Sequence, residues 1–209
     1  MSINGYIRVK NDIENEIIIE KSRFITYVKK TPTEDEAKEF IDGIRKKHPF
    51  ATHNCYAYVT DAGKTARFSD DGEPQGTAGI PMLEVIKNRD LKDTAVVVTR
   101  YFGGIKLGAG GLVRAYSSST SQALDKAGIE ENLLADLFLI KFGYDKYSLF
   151  LKFIENRKTQ TVSADFSEEI VIKIAIPSTD TSFVEKLTDY FLGKVEIVKD
   201  GQTFVVFGG

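Results

Sequence analysis

Five glycines fall within nine residues at Gly103, Gly104, Gly108, Gly110 and Gly111, directly after the β-branched run Val96-Val97-Val98. Leu112, Tyr116, Ser119, Ala123 and Ala127 follow at helical spacing. The order is therefore strand, glycine-rich loop, helix start. Glycine is entropically costly, so such a cluster implies positive φ angles or close approach of another group to the backbone. A helix start also offers unpaired N–H groups and a partial positive charge, a combination that suits phosphate. The pattern matches neither standard nucleotide fingerprint. Ala109-Gly110 stand where a Walker loop needs Lys and Ser/Thr, and Val113 replaces the third glycine of the dinucleotide motif. A tight crossover with a close-packed helix start is the competing reading.

Arg100, Lys106 and Arg114 flank the loop, and no acid lies between Thr94 and Asp125. With Tyr101 and Phe102 beside them, these cations suit a nucleic-acid backbone and its bases; alternatively Phe102 is core and the cations are merely solvated. Asp70, Asp71 and Glu73 are the acidic counterpart, expected to pair with Arg100 or Arg114 or to form a solvated turn rather than to hold a metal. His53 and Cys55 share a face of an expected strand. A buried structural thiol explains Cys55 better than a nucleophile does. The Ser117–Ser121 run is read as close helix–sheet packing, and the terminal Gly208-Gly209 as a frayed strand end.

The elements that position these residues follow from periodicity. Ile17–Ile19 and Phe24–Val28, separated by Lys21-Ser22-Arg23, read as a strand pair or one interrupted strand, and Thr33 with Glu36 caps a helix carrying Ala37, Phe40, Ile41 and Ile44. His53–Thr60 and Thr65–Ser69 form a hairpin, Asp70–Gly79 a loop and Ile80–Arg89 a short helix. The helix after the glycines is expected from about Gly111 to Lys126, with Gly128 as its C-cap. Beyond Glu131 the order is β-α-β-β-α-β, the ferredoxin-like arrangement. It uses a strand at Asp136–Phe142, a helix at Tyr144–Asn156 and the alternating isoleucines 170, 172, 174 and 176. A helix capped by Ser182 and two short strands joined by an Asp200-Gly201 turn complete it. The expected fold is α+β in two domains, 1–130 and 131–209.

Composition sets bounds. The 209 residues carry 42% hydrophobic and 28% charged side chains, ordinary for a globular protein. Lys+Arg 28 against Asp+Glu 30 gives a net charge of −2, so any nucleic-acid surface must be a local patch. One cysteine precludes an internal disulfide, and the N-terminus lacks a signal-peptide core. A cytoplasmic protein with no membrane span is the expectation.

Two long stretches, DDGEPQGTAG at 70–79 and RYFGGIKLGAGGLVRAY at 100–116, resemble the paired motifs of the IMPACT (YigZ-like) family, and the resemblance covers about Ser22–Gly128. It implies an N-terminal α/β sandwich like the second domain of a small-subunit ribosomal protein. It also implies a C-terminal domain similar to the last domain of the translocase elongation factor. The eukaryotic relative is a translation regulator acting by protein contact, through an extra N-terminal domain not expected here. The resemblance therefore implies a translation-associated regulator rather than an enzyme, without cofactor, binding RNA, ribosome-associated factors or a protein partner. The predicted contact residues are Arg100, Tyr101, Lys106, Arg114 and the five glycines, with Asp70, Asp71 and Glu73 orienting the arginines. Alternatives are an enzyme acting on a phosphorylated small molecule and an adaptor that does not bind RNA.

Overall fold

The computed structural model describes residues 4–207, which divide into two compact units: Tyr6–Glu130, and residues 4–5 with 131–207. The paired glycines at 208 and 209 lie outside the described residues.

The first unit contains most of β1 (Gly5–Val9), then β2 (Ile13–Ile19), β3 (Ser22–Lys30), α1 (Glu34–Lys47), β4 (His53–Thr60), β5 (Thr65–Ser69), α2 (Gly79–Asn88), β6 (Thr94–Tyr101) and α3 (Gly108–Ala127). Its antiparallel sheet has the order β2-β3-β6-β4-β5. Successive side chains on a strand point to opposite faces. Phe24, Cys55, Ala57, Val96 and Val98 pack with Met82, Ile86, Leu112 and Tyr116 of α2 and α3. Ile25, Tyr27, Tyr58, Ala95 and Val97 pack with Ala37, Ile41 and Ile44 of α1. The sheet is thus covered on both faces, which is why its central strand reads as an unbroken apolar run. Ser119 on α3 meets Thr26 on β3 at 2.5 Å, so part of the serine run does serve close helix–sheet packing.

The second unit contains most of β7 (Ile129–Phe142), then α4 (Tyr147–Ile154), β8 (Gln160–Phe166), β9 (Ile170–Pro177), α5 (Phe183–Tyr190) and β10 (Glu196–Val205). The antiparallel order β10-β7-β9-β8 places the fourth strand beside the first and the third between first and second. That is the ferredoxin-like sheet. Ile170, Ile172, Ile174 and Ile176 pack with Phe150, Phe153, Phe183 and Leu187 in one core.

Local expectations fail in three places. The Asp200-Gly201 turn is instead an irregularity within one strand. The arms Glu196–Lys199 and Gln202–Val205 both pair with β7, the register shifts between them, and Gly201 has φ +102°. Ser182 does not cap α5, because its hydroxyl donates to Asp180. Helix α3 begins at Gly108, so three of the five glycines belong to its first turn.

Candidate functional site

Two neighbouring residues at the end of β6 set the geometry. Arg100 points toward α2 and α3, whereas Tyr101 points to the α1 face. There the Tyr101 hydroxyl meets His48 Nδ1 at 2.9 Å, and His48 Nε2 meets the Tyr27 hydroxyl at 2.6 Å. Strand alternation thus separates Tyr101 from the glycine loop, and its ring instead carries the Arg23 guanidinium at 5.6 Å.

Arg100 is only 5% exposed and Glu73 8%. Arg100 Nη1 donates to Glu73 Oε1 at 2.7 Å, and Nη2 donates to Ser22 Oγ at 3.3 Å. The Tyr116 hydroxyl donates to the same Glu73 oxygen at 2.8 Å. His53 Nε2 lies 3.7 Å from Glu73 Oε2, and its Nδ1–H donates to the Asp71 carbonyl. The guanidinium carbon stands 5.3 Å from the Phe24 ring and 5.5 Å from that of Phe102. A buried charge requires such pairing, because leaving it alone costs several kcal/mol. Among the described residues, Arg100 Nε nevertheless has no hydrogen-bond partner.

The other two acids serve different partners from the expected arginines. Asp70 accepts from the backbone N–H groups of Gly76, Ala78 and Gly79 at 2.8–3.0 Å, closing its own loop and capping the start of α2. Asp71 accepts from the Asn54 N–H at 2.7 Å and from Arg45 Nη2 at 3.1 Å. Only Glu73 reaches Arg100, because the turn at Asp70–Glu73 carries its side chain inward over the β4–β6 pair.

Cys55 is fully buried, and its thiol donates to the Asp70 carbonyl at 3.0 Å. Desolvation pushes its pKa upward, the Tyr116 hydroxyl opposes this and the neighbouring carboxylates add to it, and the net rise is the opposite of what a nucleophile needs.

The start of α3 contrasts with that of α2. No side chain caps it, and Gly108, Ala109 and Gly110 are exposed. Its glycines have different causes. A Cβ on Gly103 would lie 2.0 Å from the Lys21 carbonyl carbon, and Gly104 and Gly108 have φ of +85° and +68°. Gly110 has neither constraint. The nearest atom to a Cβ there is Arg114 Nη1, at 3.6 Å. Helical side chains lean toward the N-terminus, so Arg114 reaches back over the first turn. Lys106 and Arg114 are exposed, and neither forms an ion pair among the described residues.

A cleft of about 320 Å³ opens beside this turn, walled by Pro74, Phe102, Leu107 and Leu112, with Glu73 and Arg100 lining it and Lys106 and Gly108 also contributing. Phe102, whose alternative reading placed it in the core, is instead 47% exposed. Pro74, Leu107 and Leu112 were not foreseen as site residues, since apolar side chains in a motif look like core. A larger groove of about 1010 Å³ adjoins it along α3, beside Arg114 and Val113. No helix among the described residues is long and apolar enough to cross a membrane.

Comparison with known proteins adds relatives to this geometry. A family model described as the Impact N-terminal domain matches residues 20–124. The chain is 46% identical over 206 residues to IMPACT family member YvyE of Bacillus subtilis, covering 96% of this chain and 93% of that one. It is 33% identical over 184 residues to IMPACT family member YigZ of Escherichia coli, covering 86% and 90%. Similarity to Protein IMPACT of Xenopus laevis is 43% over 65 residues, 30% of this chain and 21% of the relative. A solved structure described as a hypothetical protein superposes with a TM-score of 0.64 at 30% identity, covering 94% of this chain and 97% of that one.

Proposed function

The chain belongs to the IMPACT family, and from that footing we propose that it is a translation-linked regulatory protein whose first unit binds RNA phosphates at the start of α3. One observation carries this reading. Within the same unit α2 has its first N–H groups capped by Asp70, whereas α3 begins with exposed glycines and no side-chain cap. The N–H groups at 108–110 and the helix dipole together favour an anion. Lys106 and Arg114 add two positive charges at the same rim. Arg100 takes a different part from the one its sequence position suggests. Buried against Glu73, it ties the end of β6 to the 70–79 loop that leads into α2 rather than presenting its charge to solvent.

The reading of an enzyme with Asp70 or Asp71 as base or metal ligand has less support, because both carboxylates are engaged by backbone N–H groups and Arg45. Fluorescence anisotropy with short single-stranded RNA tests the proposal. Binding is expected to weaken with salt, with a log–log slope of roughly 0.7 per phosphate contact, and to weaken further and lose slope in Lys106→Ala/Arg114→Ala. Absence of RNA binding at low salt would overturn it.

A further inference from the structure

We propose that the cleft between Phe102 and Glu73 receives one nucleobase of the bound strand, stacked on Phe102, while the adjoining phosphate sits on the α3 amides. This rests on the RNA reading above and adds a subsite to it. Three observations carry it. The cleft, at about 320 Å³, lies at the small end of the roughly 300–1,000 Å³ that ligand pockets span, fitting a single ring system better than a polymer. Phe102 exposes nearly half its surface, although a large aromatic normally gains by burial, and Arg100 backs it at 5.5 Å. Arg100 lines the cleft, is 95% buried by its 5% exposure, and keeps Nε without an acceptor. An unpaired buried donor is an unrelieved cost, and rotation of the guanidinium toward the cleft would let an acceptor on the edge of a base remove it.

The charges divide the same way. Arg100 and Glu73 neutralise each other at the floor of the cleft, which suits an uncharged ring. Unpaired Lys106 and the bare α3 start lie at the rim, which suits a phosphate. Pro74, Leu107 and Leu112 supply apolar walls for the ring. The ligand class is therefore a nucleotide unit whose base carries a carbonyl or ring-nitrogen acceptor.

The test compares a short single-stranded RNA with an abasic ribose-phosphate strand of equal length, using the full chain and the variants Phe102→Ala and Phe102→Tyr, with thermal melts to confirm folding. The wild type is expected to prefer the base-bearing strand about ten-fold, the range that one stacked base supplies. Phe102→Ala is expected to abolish that preference and Phe102→Tyr to retain it. Equal affinity of the wild type for both strands would overturn the base subsite and leave phosphate binding standing. Binding of neither strand would overturn both readings. A 5′-mononucleotide that binds as tightly as the strand would overturn RNA as the source of the base, and ribose 5-phosphate matching that mononucleotide would overturn stacking itself.

Discussion

Arg100 Nη1 and Glu73 Oε1 are 2.7 Å apart with both side chains almost wholly buried, and this contact joins the two long motifs of the chain. Tyr116 closes the arrangement from the first half of α3. The loop at 70–79, the end of β6 and the helix start are therefore one polar assembly. Removing one partner leaves the other's charge buried and unpaired. Glu73→Ala is expected to lower stability by about 3–5 kcal/mol in urea denaturation. The double variant Glu73→Ala/Arg100→Met is expected to lose much less than Glu73→Ala and Arg100→Met added together. Additive losses would show that the pair is not coupled.

The glycines provide a sharper contrast. Gly103→Ala places a methyl group against the Lys21 backbone and is expected to cost at least about 1–3 kcal/mol. Gly110→Ala meets only the tip of Arg114 and is expected to raise stability by roughly 0.5–1 kcal/mol, because glycine within a helix is entropically costly. The same methyl stands on the turn proposed to receive phosphate, so on that proposal RNA affinity is expected to fall as stability rises. Thermal melts and anisotropy on one preparation measure both. A Gly110→Ala protein that is more stable with undiminished affinity would mean that this glycine serves no ligand.

His48 makes stability depend on pH. Desolvation first, with Lys47 adding, holds its folded-state pKa below the ordinary 6.5. The unfolded chain therefore takes up the proton first as pH falls. The stabilisation is present above pH 6.5 and is lost as pH drops from there through the lower folded value. Urea midpoints between neutral and mildly acidic pH are expected to fall less in His48→Gln than in the wild type. Parallel curves would remove His48 as the cause.

Cys55 gives a probe of native packing. Its thiol is buried, donates to Asp70 and has a raised pKa, so iodoacetamide at mildly alkaline pH is expected to leave the folded chain unlabelled and to modify it in urea. Rapid labelling of the folded protein, followed by mass spectrometry, would contradict that environment.

Much of this fold was legible because its signals are local. The alternating isoleucines of β9 and the Thr33–Glu36 cap both occur as read, the latter with Thr33 Oγ1 accepting from the Glu36 N–H at 3.3 Å. The long-range choices were not. Sequence brought Arg100 and Tyr101 together, and strand alternation parted them, as became clear only once β6 extended through Tyr101. That an acid of the 70–79 loop would pair with Arg100 was readable, but selecting Glu73 over Asp70 and Asp71 required the turn geometry. Gly103 and Gly110 look alike in sequence and differ in what approaches them. The Asp200-Gly201 pair carries a turn signal, yet tertiary pairing of both arms with β7 overrides it.

The central claim is that the uncapped start of α3 receives phosphate, and backbone amide NMR tests it most directly. On titration of short single-stranded RNA into the labelled chain, the largest shifts are expected at the amides of Gly108, Ala109 and Gly110, diminished in Lys106→Ala/Arg114→Ala. Binding that moves amides elsewhere and leaves these three unchanged would contradict the account.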